Sequence, residues 1–190
     1  MSSPDNPVVA IVEDEELLAD MYATWIDDSY EVRIATSGSS ALEVIDADVD
    51  VVFLDRRMPD VDGDDVLRQL RERGNTTQIA MLTAVDADFD ILDLPLDDYL
   101  HKPVSETAFN ETIEQLLRRS HYEQTLQRFH ELAAKRAALE AGKDLDVLAE
   151  SDEYHQLLEE LERVRTAADA TLEEFDLEDY RGEFKRLVIS

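Results

Sequence analysis

Acidic side chains recur where apolar runs end. VVAIV (8–12) is followed at once by Glu13 and Asp14, and VDVVFLD closes on Asp55. A hydroxyl, Thr83, ends QIAMLT, and an ammonium, Lys102, lies in DDYLHKP. Clustered carboxylates repel one another unless a cation sits among them, and Mg²⁺ takes one or two carboxylates together with waters and phosphate oxygens. A metal so held can bridge a protein oxygen and an incoming phosphoryl group and neutralise the charge of in-line transfer. A lysine adds a point charge for the phosphate, and a threonine hydroxyl can donate to a phosphoryl oxygen. The attacking group in such a site is the central carboxylate, Asp55. Taken singly, Asp55 reads as a strand-end acid that starts a turn, and Glu13 and Asp14 as acids favourable at a helix N-terminus. Only the set points to chemistry.

The elements that must bring this set together alternate. Residues 8–12 predict a buried strand. Leu17, Leu18, Met21, Tyr22 and Trp25 follow at helical spacing over 15–27. Residues 30–35 alternate as a strand does, and the turn at Thr36–Ser39 offers N-cap candidates before a helical stripe of Ala41, Leu42 and Ile45. After the strand that ends at Asp55, Gly63 opens a helix through Val66, Leu67 and Leu70 that stops near Gly74. QIAMLT and DYLH predict the last two strands. Alternation of this kind predicts an α/β fold with a doubly wound, five-stranded parallel sheet. Ligands of such sheets sit beyond the carboxyl ends of the strands, where Glu13, Asp14, Asp55, Thr83 and Lys102 all fall. The five glycines form no phosphate-cradling loop, which argues against a nucleotide site.

Composition narrows the setting. The 190 residues contain no cysteine, excluding disulfides and thiolate chemistry. No run approaches the roughly 18 apolar residues of a membrane span, and MSSPDNP lacks the features of a secretory signal, so a cytoplasmic protein with no membrane association is expected. His101, His121, His130 and His155 show no metal-ligand spacing and are expected at solvent-facing positions. Eighteen Lys+Arg face 46 Asp+Glu, a net charge of −28. The acids are spread along the chain rather than gathered in a tail. That favours adaptation to molar salt, where self-repulsion is screened, over a basic partner, and the composition resembles that of halophilic archaea.

The ordered pieces Glu13-Asp14, LDRRMPDVDG, Thr83-Ala84 and DDYLHKP resemble the CheY-like receiver domain of a two-component response regulator, over residues 7 to about 120. The resemblance implies that Asp55 is the phosphoacceptor, supplied by a sensor histidine kinase. It implies that Glu13, Asp14, Asp55 and the backbone carbonyl of Arg57 hold Mg²⁺. Lys102 then pairs with the phosphoryl group, Thr83 and Tyr99 form the switch pair, and the Lys102–Pro103 bond is cis. An enzyme using Asp55 as a transient nucleophile is the competing class. Such phosphatases commonly carry a second aspartate two residues on, where this chain has Arg57. Arg56 and Arg57 read as solvated cations offsetting the acid cluster, with tuning of phosphate lifetime as the sharper alternative. Residues 85–97 are short for a full fourth helix.

Beyond the receiver (1–120), residues 121–190 read as an all-α helical hairpin or coiled coil. One helix, capped by Ser105, runs over 105–141 to a stop at Gly142 and is continuous with the last receiver helix. A second runs from Leu145 or Ser151 to Phe175, with Tyr154, Leu161, Ala168 and Phe175 seven apart and Leu157 and Val164 between them. A last short helix is expected around Leu177–Val188. The hairpin's thin core makes pairing with a second copy through the C-terminal helices plausible. This part resembles the HalX domain of haloarchaeal regulators. Residues 104–190 carry 11 Lys+Arg against 21 Asp+Glu, which disfavours DNA binding, since cation–phosphate contacts supply much of that affinity. The expected function is a phosphorelay response regulator that signals through its helical domain to transcription. Direct DNA binding by that domain is the alternative.

Overall fold

The computed structural model describes residues 6–84 and 94–174. Five strands, β1 (Val8–Val12), β2 (Glu31–Ala35), β3 (Val51–Asp55), β4 (Gln78–Thr83) and β5 (Asp98–His101), form one sheet in the order β2-β1-β3-β4-β5. Every pairing is parallel. The doubly wound α/β fold expected from the alternation is therefore present. The three central strands are buried along their whole length, because both faces of a parallel sheet are covered. β2 lies at an edge, and its burial is partial.

One face packs on α2 (Gly38–Val44) and α3 (Gly63–Glu72), with Ala41, Ile45, Val66, Leu67 and Leu70 against Ala10, Val52, Leu54 and Met81. The other packs on α1 (Glu16–Trp25) and the beginning of α4 (Glu106–Gly142), with Ala19, Tyr22, Phe109, Ile113 and Leu116 against Val9, Ile11, Phe53 and Leu82. Phe109 is the aromatic centre of this face. Its ring stacks on Phe53 at 3.8 Å and on Tyr22 at 5.1 Å, with Trp25 edge-on at 5.8 Å.

The local signals act as the sequence suggests. Ser37 caps α2 through a capping box with Ser40. Gly74 takes φ +76° after α3, a left-handed conformation that costs glycine little. Ser105 Oγ accepts from the Ala108 amide at the start of α4. One expectation fails on α1: Leu17 and Met21, placed in the apolar stripe, are 87% and 39% exposed. Of that stripe Tyr22 is buried as expected, and the other buried residue of α1 is Ala19.

The chain divides into two compact units, Met1–Ser120 and His121–Ser190. In the second, α5 (Leu145–Ala149) and α6 (Asp152–Glu174) follow the end of α4. Arg128 pairs with Glu160, and Glu140 accepts from the Tyr154 hydroxyl at 2.7 Å. Partners that advance along one helix and retreat along the other make the two antiparallel, a hairpin turning just after Gly142. Leu132, Leu148 and Ala168 are buried, while Tyr154, Leu157, Leu161 and Val164 are half-buried. Phe175 and the last helix expected around Leu177–Val188 lie outside the described residues. So does most of the region at 85–97, expected to be short for a fourth helix, of which Leu94–Asp97 are described.

Candidate functional site

The parallel sheet delivers its strand ends to one edge. Asp55 and Thr83 are the last residues of β3 and β4, and Glu13 and Lys102 each follow a strand directly. Backbone bonds fix all four relative to neighbouring strands. The Glu13 amide donates to Ala35 O, the Arg56 amide to Leu82 O and the Lys102 amide to Thr83 O, at 3.0, 2.8 and 2.7 Å. The Lys102–Pro103 bond is cis.

The side chains of Glu13, Asp14, Asp55 and Lys102 converge. Carboxylate oxygens of Glu13, Asp14 and Asp55 lie within 4.8 Å of one another. A trans pair of oxygens on Mg²⁺ is about 4.2 Å apart, from ligand distances of about 2.1 Å, so the cluster is close to the required span. Asp14 is its solvent-facing member, whereas Glu13 is fully buried and Asp55 nearly so. Lys102 Nζ bridges Glu13 Oε2 at 2.6 Å and Asp55 Oδ2 at 3.1 Å. The other Glu13 oxygen, Oε1, is buried without a hydrogen-bond partner. Leaving a buried acceptor unmet is costly, and a cation among the three carboxylates would satisfy it.

Electrostatics follow from this crowding. Burial, reinforced by the Asp55 charge, pushes the Glu13 carboxyl up to about 7, although the Lys102 ammonium pulls the other way. Burial opposes the charge on Lys102, but the hydrogen bond to Glu13 and the Asp55 charge outweigh it and hold the ammonium above its ordinary range.

The loop after β3 closes over Asp55. The Arg57 amide donates to Asp55 Oδ1 at 3.3 Å, which places Arg57 beside the cluster. A Cβ on Gly63 would stand 2.3 Å from the Asp55 carbonyl oxygen, so this close approach requires glycine. Thr83 is fully buried, and the half-buried Tyr99 packs against the core face that holds α2 and α3. The two occupy neighbouring strands, Thr83 in register with His101 and Tyr99 with Met81.

The two arginines behind Asp55 do not share one environment. Arg57 is exposed and pairs with Asp62 at 2.9 Å, as a solvated cation should. Arg56 is not solvated: its side chain is 2% exposed and makes a two-pronged pair with Asp64, Nε to Oδ1 and a terminal nitrogen to Oδ2, both 3.1 Å. The expectation of a solvated Arg56 is corrected. Its position directly after a buried strand carries the side chain inward, and Asp64, in the first turn of α3, supplies the counter-charge. Only the spacing of Arg56 and Asp64 across Gly63 could have signalled this. All four histidines are exposed.

The chain matches the response regulator receiver domain over residues 9–114 and the HalX domain over 118–184. A Haloferax volcanii protein provisionally named a transcriptional regulator is 45% identical over 166 residues, 87% of this chain and 28% of that protein. The transcriptional regulatory protein CutR of Streptomyces coelicolor is 46% identical over 110 residues, 55% of this chain and 49% of CutR. The chain thus spans half or less of the length of these curated relatives. Among solved structures, the receiver domain of the Francisella response regulator 1452 aligns with TM-score 0.55 and 27% identity, covering 60% of this chain and 99% of that one. A CheY-like receiver from Methanospirillum hungatei, 22% identical with TM-score 0.56 over 62% of this chain and 98% of its own, shares the fold. The chain belongs to the response regulator receiver family, and a HalX domain follows its receiver.

Proposed function

We propose that this chain accepts a phosphoryl group on Asp55 from a sensor histidine kinase in the cytoplasm and relays that event through its helical domain to transcription. The observation that carries the reading is the Lys102 ammonium seated between Glu13 and Asp55 while a buried Glu13 oxygen stays unmet. Glu13, Asp14, Asp55 and the Arg57 carbonyl are the groups that would hold Mg²⁺, which when bound supplies charge neutralisation for phosphoryl transfer. Asp55 is the nucleophile. Its second oxygen lies against the Lys102 ammonium, which is placed to pair with the oxygens of an incoming phosphoryl group. The Arg57 amide holds the first oxygen and orients the carboxylate.

Thr83 and Tyr99 are the proposed switch: the hydroxyl turns to the phosphoryl group and the ring follows, biasing an equilibrium between two receiver states. The names of the relatives support a transcriptional output. The excess of acid over base in residues 104–190 supports protein contacts, including a second copy of this chain, over direct contacts with DNA.

Incubation with acetyl phosphate and Mg²⁺ in high salt is expected to add ~80 Da, the mass of one phosphoryl group. The adduct is expected to be absent from Asp55→Asn. An adduct that survives in that variant, or none in the native chain, would refute the acceptor role.

A further inference from the structure

We infer that the buried Arg56–Asp64 ion pair is a positioning device for the metal-binding loop: it sets where Arg57 presents its backbone to the acid cluster. The inference rests on the proposed phosphoacceptor site and deepens it.

Residues 56–63 form a loop whose two ends meet. At the backbone, Gly63 N donates to Arg56 O at 2.8 Å. At the side chains, the Arg56 guanidinium grips Asp64 through two parallel bonds of 3.1 Å. A forked pair fixes direction as well as distance, which a single contact does not. Asp64 is in turn held by the helix, since its amide donates to the N-cap carboxylate Asp62 at 3.2 Å and Asp62 takes a bond from Arg57 at 2.9 Å. Arg57 therefore sits between two anchored points. It is the residue whose amide touches Asp55 and whose carbonyl is proposed to face the cation.

A purely structural role fits poorly. Arg56 is 1% exposed, and the desolvation of a buried ion pair often cancels its attraction, so an apolar pair would serve packing as well. What an apolar pair lacks is the fork. Groups that orient metal ligands commonly change metal affinity 10–100-fold when removed.

The test compares the native chain, Arg56→Lys, and the double variant Arg56→Met/Asp64→Leu, all full length and in molar KCl. Mn²⁺ binding is followed by electron paramagnetic resonance, and amide hydrogen exchange over 56–63 is followed without metal. The double variant removes both charges and is expected to keep the native melting temperature within a few degrees. Its Mn²⁺ affinity is expected to fall about tenfold and its loop amides to exchange faster. Arg56→Lys keeps the charge but not the fork, and is expected to fall between the two. A folded double variant that binds Mn²⁺ as the native chain does, with unchanged loop exchange, overturns the positioning role and leaves the metal site standing. Failure of the native chain to bind Mn²⁺ overturns both. If the double variant does not fold, Arg56→Lys decides alone, with native affinity counting against the inference.

Discussion

Glu13 concentrates the chemistry of the site in one carboxyl group. Its ordinary value is 4.5, and burial raises it to about 7 in the folded chain. The folded state therefore holds this proton more tightly than the unfolded state does. Glu13's contribution to the stability of the metal-free fold is fully present below about 4.5 and is lost as the pH rises through about 7. A bound cation needs the carboxylate, so a proton and Mg²⁺ compete for the same oxygens. Above pH 7 the cation meets a charged, poorly solvated carboxylate and relieves it, while below pH 7 it must first displace a proton. The rise in melting temperature produced by Mg²⁺ is expected to be larger at pH 8 than at pH 6. In Glu13→Gln most of that pH dependence should disappear. Equal Mg²⁺ shifts at the two pH values would show that Glu13 does not gate the cation.

At the scale of elements, the root of α4 carries the receiver's second core face. Phe109 is fully buried and stacks on both Phe53 and Tyr22. Phe109→Ala removes those contacts and leaves a cavity, expected to cost about 3–5 kcal/mol; chemical denaturation of the native chain and the variant would measure it. A loss below about 1 kcal/mol, on the scale of a surface change, would mean that α4 is held chiefly elsewhere. Phe109, Ile113 and Leu116 were legible beforehand, since their spacing marks one helix face. The strands were legible too, because short apolar runs ending in Asp55 or Thr83 leave little choice of boundary. The roles of Leu17 and Arg56 were not. Leu17 lies one residue from the buried side of a short helix, and periodicity cannot say which of two adjacent apolar residues meets the sheet. Arg56 is polar by type, and its forked pair with Asp64, eight residues on, helps make its burial tolerable. The clustering of Glu13, Asp14, Asp55 and Lys102 was readable because strand ends of a parallel sheet share an edge. The pairings of the loop at 56–63 were not, because they cross a turn rather than follow a period.

The whole molecule is governed by its charge. Forty-six acids and 18 bases leave 28 carboxylates without a countercharge in the chain. Salt acts on such a surface in two opposed ways. It weakens exposed pairs such as Arg33–Glu31, Arg68–Asp65 and Arg165–Asp169, each of which contributes little. It also screens the repulsion among the excess acids, shrinking the Debye length from about 10 Å at 0.1 M to about 3 Å at 1 M. The second effect should dominate, because the pairs are few and weak while the repulsion acts between every pair of uncompensated acids and disfavours the compact state. The inner pairs, Arg56–Asp64 and Lys102–Glu13, are shielded from solvent and should hold at any ionic strength. The melting temperature is expected to rise on the order of 10 °C between 0.1 M and 3 M KCl, equivalent to a few kcal/mol for a chain of this size, with most of the rise complete by about 1 M, where screening is already short-ranged. Chloride is the better choice because sulfate strengthens burial through its own exclusion from protein surfaces. A melting temperature that stays flat or falls with KCl would mean that the surface pairs outweigh the repulsion, and that the acidic composition does something other than fit the chain to salt.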